Sequence, residues 1–144
     1  MKKQKNPTKI AIVGSRNYSN YRKIKDFIFY LKGVYSGNLI IVSGGAKDGA
    51  DWFAKQAARE LEIEYIEFPP YHQPWNINCQ GNGIKKFLYG KDYKKQYFFI
   101  RNNQIAKFSD IMVAFKSSTS QTQGTDHAIK CMEKLGKKHM TEVD

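Results

Sequence analysis

The sequence predicts an α/β fold in three layers, with a mainly parallel central sheet and helices on both of its faces. Short apolar segments alternate with amphipathic segments along the chain, which is typical of a parallel sheet whose strands are joined by helices. Two apolar segments, IAIV and LIIV, are continuous, which indicates strands covered on both faces. A chain of 144 residues is long enough for one domain of this kind, and we predict a single domain over 1–144.

Five segments have the composition of strands. Residues 9–15, 38–45 and 110–115 are apolar runs that end at small or polar residues. Residues 63–68, IEYIEF, alternate apolar and acidic side chains, so we expect this strand near the edge of the sheet. Residues 138–143, KHMTEV, carry a weaker pattern and are expected to add one last short strand.

Four segments have the spacing of helices: 20–33, about 49–62, about 93–108 and about 125–135. We expect Asp48 to cap the second helix, and Gly33 and Gly136 to end the first and the fourth. The side chains expected to face the core from the last two helices are Tyr97, Ile100, Ile105, Phe108, Ile129, Met132 and Leu135.

Two segments lack a regular pattern. Residues 1–8 form a basic arm that we expect to be flexible, and residues 69–92 form a long connection rich in Pro, Gly and Asn. A connection of this length is unusual in a compact domain and is often functional. Its Tyr71 and Trp75 have two interpretations, stacking on a base or forming a small core of the loop itself.

The composition indicates a globular protein with anionic partners. Hydrophobic residues make up 41% of the chain, and Lys plus Arg exceed Asp plus Glu by 24 − 13 = 11. This excess favours nucleotides, nucleic acid or acidic surfaces as partners, although a solubility surface explains it equally well. The two cysteines, Cys79 and Cys131, form no CxxC pair, so we expect neither a disulfide framework nor a metal site. No apolar run is long enough for a membrane span, and we expect a cytoplasmic protein.

Three polar turns follow predicted strands and lead into predicted helices. They contain Gly14-Ser15-Arg16, Ser43-Gly44-Gly45, and the segment from Ser117 and Ser118 to Gly124 and Thr125. In an open parallel sheet these turns lie at the same edge, where ligands bind. Helix N-termini offer unpaired amides, and glycine lets an anion approach the backbone. We therefore predict that the three turns present bare amides to a phosphate or carboxylate, whereas a single such turn would indicate only turn geometry.

Charged and amide side chains near these turns are candidate ligand contacts. Arg16 is either a phosphate partner or a solvated arginine of the turn. Arg101 is followed by Asn102 and Asn103 inside a predicted helix, where asparagine is unfavourable and an orientation towards the ligand crevice would explain it. Asp51 is placed to hold a ribose hydroxyl, or merely to complement the helix N-terminus.

Four motifs together resemble the SLOG superfamily. They are IAIVGSR, IVSGGAKDGAD, RNNQIAKFSDIMVAF and GTDHAI, which cover roughly residues 9–136. The superfamily includes the Rossmann domain of DprA, the LOG phosphoribohydrolases and small YspA/YpsA-related proteins of bacteria and phages, and the last group is the most similar. The resemblance implies a Rossmann-like fold, a nucleotide or nucleotide-derived ligand at the strand ends and a homo-oligomer. A phage origin would imply sequestration of a signalling nucleotide. We expect no cofactor.

Two alternatives to simple ligand binding remain open. LOG enzymes use a glutamate in PGGxGTxxE to cleave an N-glycosidic bond, but this chain has QTQGTDHA, with Ala128 at the glutamate position. Asp126 and His127 are the weak catalytic candidates for a nucleotide N-glycosidic or phosphoester hydrolase, so whether the chain is an enzyme stays open. The other alternative is DprA-like binding of single-stranded nucleic acid, which the net charge of +11 would suit.

Overall fold

The computed structural model describes residues 6–46, 48–68, 95–118 and 123–143, which form a five-stranded sheet and four helices. The strands are β1 (Thr8–Gly14), β2 (Leu39–Ser43), β3 (Glu64–Glu67), β4 (Ile111–Lys116) and β5 (Lys138–Val143). The helices are α1 (Tyr21–Val34), α2 (Gly49–Glu60), α3 (Lys95–Phe108) and α4 (Gln123–Lys134). The flexible arm and the long loop with Tyr71, Trp75 and Cys79 were predicted in segments that lie largely or wholly outside the described residues.

All strand pairs are parallel, in the order β3-β2-β1-β4-β5. This confirms the predicted fold class, the place of β3 at one edge and the last short strand. Because β2 and β4 lie on either side of β1, the strand order reverses next to β1. The carboxyl ends of β1 and β4 therefore flank the crevice at which doubly wound sheets bind their ligands.

The two faces of the sheet carry separate cores. Helices α1 and α2 pack on the face that presents Ile10, Ile12 and Phe115, and α3 and α4 pack on the face that presents Ala11 and Val13. Successive residues of β1 thus point into opposite cores, which is why its sequence is apolar without alternation.

Two predicted helix details are wrong. Gly33 lies inside α1, and the chain turns at Ser36 and Gly37, whose φ angles are 52° and 75°. The amide of Gly37 donates to the carbonyl of Lys32 at 2.8 Å and closes the helix end. Leu135 was expected in the core, but it follows the last residue of α4 and is 47% exposed.

The two other predicted helix boundaries have different outcomes. Gly136 adopts a φ of 67° after α4, as a helix stop does. Asp48 precedes α2 at the N-cap position, but within the described residues its side chain makes no capping hydrogen bond. Of the side chains expected to face inward from α3, Ile105 is fully buried, Ile100 and Phe108 are half-buried, and the side chain of Tyr97 is not among those described.

Candidate functional site

The turns after β1, β2 and β4 meet at one edge of the sheet. The amide of Ser15 donates to the carbonyl of Phe115 at 3.1 Å, and Ser15 Oγ accepts from the amide of Ser117 at 3.0 Å. The carbonyl of Ser15 accepts from the amide of Ala50, the second residue of α2, at 3.2 Å. Hence Ser15, which is buried, ties the first turn to the last one and to α2.

These contacts occupy part of the set of turn amides that the sequence predicts to be bare. The amides of Ser15, Ser117 and Ala50 are used by the protein itself, and that of Ala46 donates to Asp51 Oδ2 at 3.2 Å. The buried carboxylate of Asp51 thus occupies the position expected for an anion beside the second turn. The Asp51 carboxylate therefore takes one amide that an anionic ligand at this turn would otherwise use.

The absence of a side chain at Gly44 lets the guanidinium of Arg101 lie against the backbone. The carbonyl of Gly44 accepts a hydrogen bond from Arg101 Nη1 at 2.8 Å. A Cβ at position 44 would lie 2.1 Å from the same nitrogen and 3.0 Å from Asp51 Oδ2. The adjacent Gly45 has a φ of 76°, and a Cβ there would lie 2.6 Å from Glu67 Cδ. The paired glycines make room for an arginine and a glutamate of the chain itself.

Burial and charge oppose each other at Asp51 and Arg101. Burial raises the pKa of Asp51 above 3.8, while the charge of Arg101 and the hydrogen bond from Ala46 act in the opposite direction. Burial also lowers the pKa of the Arg101 guanidinium, which Asp51 partly offsets. These two groups are therefore a compensated internal pair of charges, with Arg101 fixed by its hydrogen bonds.

Arg16 is the exposed cation of the site. Its guanidinium carbon lies 5.7 Å from the ring centre of Phe98, and that of Arg101 lies 5.3 Å from the same ring. Both distances are within the range of a cation–π contact. Among the described residues Arg16 forms no ion pair with a carboxylate, but its charge acts on the buried pair and lowers the pKa of both Asp51 and Arg101.

Sequence reasoning missed three side chains at this edge: Phe98, Tyr65 and Glu67. Burial, with Glu67 and Asp51 nearby, raises the pKa of the Tyr65 phenol, which donates to Glu67 Oε1 at 3.1 Å. Glu67 also pairs with Lys55 at 3.4 Å. The alternation in IEYIEF, which predicted an edge strand, also placed these two polar groups on the same face of β3.

Asn102 joins α3 to the start of α4. Its Oδ1 accepts from Arg101 Nε at 3.0 Å, and its Nδ2 donates to the carbonyl of Gly124 at 3.1 Å. The same Nδ2 lies 3.1 Å from His127 Nδ1. Asn102 is only 4% exposed, so it is a positioning residue within the protein and does not reach an open crevice.

The two weak catalytic candidates are both engaged. Asp126 forms a close ion pair with Lys116. The ring of His127 stacks on that of Phe99 at 4.1 Å between centroids, and its nitrogens lie 3.8 and 4.0 Å from Cys131 Sγ. Burial, with Lys134 and Lys130, lowers the pKa of His127, which favours the neutral ring. Ala128, at the LOG glutamate position, is 1% exposed within the core.

The third turn contributes both buried and accessible groups. Ser117 and Thr125 are buried, whereas Ser118 and Gly124 are exposed. At the second turn, the Oγ of the buried Ser43 donates to the carbonyl of Ile12 at 2.8 Å, so this hydroxyl supports the sheet. Accessible polar groups at the edge therefore lie around Arg16, Ser118 and Gly124.

A comparison with protein families now adds to this geometry. The family model described as DNA recombination-mediator protein A matches residues 1–141. The chain belongs to the DNA recombination-mediator protein A family. The match confirms the resemblance drawn from the four motifs, since DprA is one of the groups they indicated.

Solved structures share the fold of this DNA recombination-mediator protein A family member. The molybdenum cofactor binding protein of Rippkaea orientalis has a TM-score of 0.66 at 18% identity, over 96% of this chain and 77% of that one. The Moco carrier protein of Chlamydomonas reinhardtii has a TM-score of 0.62 at 17% identity, over 96% of this chain and 78% of that one. These identities support a common fold and no more. No curated protein matches the chain.

Residues 6–46, 48–68, 95–118 and 123–143 contain no cluster of three or more His, Cys, Asp or Glu side chains that could hold a metal ion. Within these same ranges, no helix has the length and apolar character needed to cross a membrane.

Proposed function

We propose that this chain binds a nucleotide or a nucleotide-derived anion at the carboxyl edge of its sheet. The observation that carries the proposal is the arrangement of Arg16 and Arg101 about the ring of Phe98, next to the point where the strand order reverses. Arg101 is held by Gly44 and compensated by Asp51, so Arg16 supplies the charge for the ligand. Guanidinium groups bind phosphate through paired N–H donors, which matches a phosphorylated ligand.

Ligand contact is assigned to the accessible groups at this edge. Arg16, Ser118 and Gly124 would face the ligand, while Arg101 and Asp51 would hold the turn after β2 in shape. The structural neighbours that are named for molybdenum cofactor binding support a small-molecule ligand for this fold. In its most specific form, the proposal is that the chain is phage-encoded and sequesters a signalling nucleotide.

The proposal predicts that Arg16→Ala removes a ligand contact without unfolding the protein. Thermal shift with a panel of nucleotides measures this, because a ligand that binds only the folded state raises Tm by mass action. A hydrogen bond to a charged group contributes about 1.5–3 kcal/mol, so we expect Arg16→Ala to weaken binding by about tenfold to a hundredfold.

Arg22→Ala is the matched control. Arg22 is an exposed arginine on α1, so its removal changes the net charge by the same amount. We expect Arg22→Ala to bind within about twofold of the wild type, since diffuse surface charges contribute little. An equal loss in both variants would contradict a discrete site at Arg16, and the absence of any shift across the panel would contradict nucleotide binding.

A second function, binding of single-stranded nucleic acid, is favoured by the family match and the net charge of +11. Arg16 and Phe98 are a cation and an aromatic ring, the two kinds of group that such proteins use for backbone and base. Salt dependence of oligonucleotide affinity distinguishes this function from the binding of a free nucleotide.

The hydrolase alternative is tested separately. It requires an acid or base, for which Asp126 and His127 are the candidates, and these are paired with Lys116 and stacked on Phe99. Chromatography of a bound nucleotide after long incubation decides the matter. Recovery of intact nucleotide counts against hydrolysis, whereas a product that is lost in Asp126→Asn or His127→Gln supports it.

A further inference from the structure

Lys116 is the last residue of β4, and it lies beside the ligand site proposed above. In the register of β1 and β4, Gly14 pairs with Phe115. Lys116 is therefore level with Ser15, the residue before Arg16. Neighbouring strands are about 4.8 Å apart, so a second cationic side chain leaves the carboxyl edge on the strand next to that of Arg16.

Lys116 and Arg16 lie on the same face of the sheet. Phe115 points into the core formed with α1 and α2, so Lys116, the next residue, points to the opposite face, where α3 and α4 pack. There its Nζ pairs with Asp126 of α4. The guanidinium carbon of Arg16 is also on this side, 5.7 Å from the ring centre of Phe98 of α3. The two cations contact different helices and therefore mark two separate positions for anionic groups.

The ion pair between Lys116 and Asp126 is one that a ligand can replace. The side chain of Asp126 is 47% exposed, and ion pairs at this exposure are screened by water and stabilise weakly. Asp126 lies in the first turn of α4, where the helix dipole favours a negative charge even without a partner cation. A phosphate group carries up to two negative charges, against one for a carboxylate. Lys116 therefore binds a phosphate more strongly than it binds Asp126.

We propose that the ligand carries two linked phosphate groups, one bound by Arg16 and the other by Lys116, which leaves Asp126 when the ligand enters. A nucleoside diphosphate, or an ester of one, is the class of ligand that fits, because its neighbouring phosphates present two anionic groups to cations on adjacent strands. The inference rests on the proposed function, since it assigns a second phosphate position in the same site. It also gives Asp126 a role other than acid–base catalysis, namely competition with the ligand for Lys116.

Two substitutions should change the preference for diphosphates in opposite directions. Lys116→Gln removes the second cation, so we expect diphosphate affinity to fall about tenfold or more and monophosphate affinity to change by less than about twofold. Asp126→Asn removes the competing carboxylate, so diphosphate affinity should rise about twofold to fivefold, with a smaller change for the monophosphate. Lys116→Arg keeps the charge and should keep the preference for the diphosphate.

Isothermal titration calorimetry with the four common ribonucleoside 5′-diphosphates and their monophosphates measures these affinities. Lys130→Gln and Glu64→Gln are the charge-matched controls, at exposed positions on α4 and β3. Each control should leave the ratio of diphosphate to monophosphate affinity unchanged, because it alters only the net charge. Circular dichroism confirms that each variant is folded.

The ratio of diphosphate to monophosphate affinity decides the inference. The expected result is a wild-type ratio of about ten or more that falls in Lys116→Gln and rises in Asp126→Asn. A wild-type ratio near one, or a ratio that Lys116→Gln leaves unchanged, would overturn the inference while leaving nucleotide binding at Arg16 intact. If Lys116→Gln does not fold, the ratio in Asp126→Asn decides in its place. The absence of binding by every nucleotide tested would overturn the proposed function as well, so the two failures are distinguishable.

Discussion

The backbone at Gly44 lies against the guanidinium of Arg101, so this position cannot carry a side chain without displacing the arginine. A Cβ would lie 2.1 Å from Nη1, and moving that nitrogen would break its 2.8 Å hydrogen bond to the carbonyl of Gly44. We expect Gly44→Ala to lower the free energy of unfolding by about 1–3 kcal/mol, the usual cost of overpacking. Urea denaturation measures it.

Gly33 provides the control for this substitution. It lies inside α1, where no heavy atom is found within 4 Å of a Cβ placed there. Gly33→Ala should therefore stabilise the protein by about 0.5–1 kcal/mol, because alanine restricts the unfolded chain and favours a helix. Opposite signs at the two glycines are the expected result. A neutral effect at Gly44 would mean that Arg101 has another position of similar energy.

The carboxyl group of Asp51 makes stability depend on pH. Because burial raises its pKa in the folded state above the 3.8 of the free side chain, the folded protein binds more protons than the unfolded chain between the two values. The protonated carboxyl group of Asp51 therefore adds to the free energy of unfolding. This addition is fully present below the pKa of the unfolded chain and is lost as pH rises through the pKa of the folded protein.

Asp51→Asn should remove this component of the pH dependence. Urea denaturation over about pH 4 to 7 gives the slope for each protein, and we expect the wild type to lose more stability with rising pH than Asp51→Asn. Asp26→Asn, at an exposed position on α1, is the charge-matched control. If the wild type and Asp51→Asn have parallel profiles, Asp51 is not desolvated as its burial implies.

The helix α3 is joined to α4 by Asn102, the first of two adjacent asparagines whose surroundings differ. Asn102 is buried and contacts Arg101, Gly124 and His127, whereas Asn103 is exposed and its Nδ2 donates to the carbonyl of Phe99 at 3.0 Å. Asn102→Ala leaves buried polar partners unsatisfied, so we expect a loss of about 1–3 kcal/mol in the free energy of unfolding.

Asn103→Ala is the natural comparison, and we expect it to change stability by less than about 0.5 kcal/mol. Hydrogen exchange provides a second measurement, because loss of the Asn102 contacts should lower protection at the start of α4 more than elsewhere. Equal effects of the two substitutions would show that the junction does not depend on Asn102.

The elements of this fold were predictable because their signals are local. Continuous apolar runs mark β1, β2 and β4, an apolar spacing of 3.6 residues marks α1, and the alternation of strands and helices implies a parallel sheet. Helix ends depend on competing signals: two glycines, Gly33 and Gly37, follow each other closely, and only the second has a positive φ. The sequence alone does not show which one ends the helix.

The site was predictable only in its location. Topology placed three turns at one edge, but it could not show that Ser15 and Asp51 of the chain itself would occupy the turn amides. The contact between Ser15 and Ser117 joins positions 102 residues apart in sequence. The contact of Phe98 with the two arginines was not predicted either, because an aromatic residue on a helix usually indicates core packing.

The excess of positive charge is a property of the whole molecule, and it allows two modes of nucleic acid binding. In the first, an oligonucleotide is held by diffuse attraction to a chain with a net charge of +11. In the second, the strand crosses the carboxyl edge of the sheet and contacts Arg16 directly. Both modes weaken with salt, so salt dependence alone does not separate them.

The comparison of Arg16→Ala with Arg22→Ala does separate them. For single strands, log K falls with log salt by about 0.7 for each phosphate neutralised. If the strand crosses the carboxyl edge, Arg16→Ala should lower the magnitude of this slope by about 0.7, and Arg22→Ala should leave it unchanged. Fluorescence anisotropy of a labelled oligothymidine at several salt concentrations measures the slope. Equal, small changes in both variants would indicate diffuse attraction, and nucleic acid would then have no specific place at the site around Arg16.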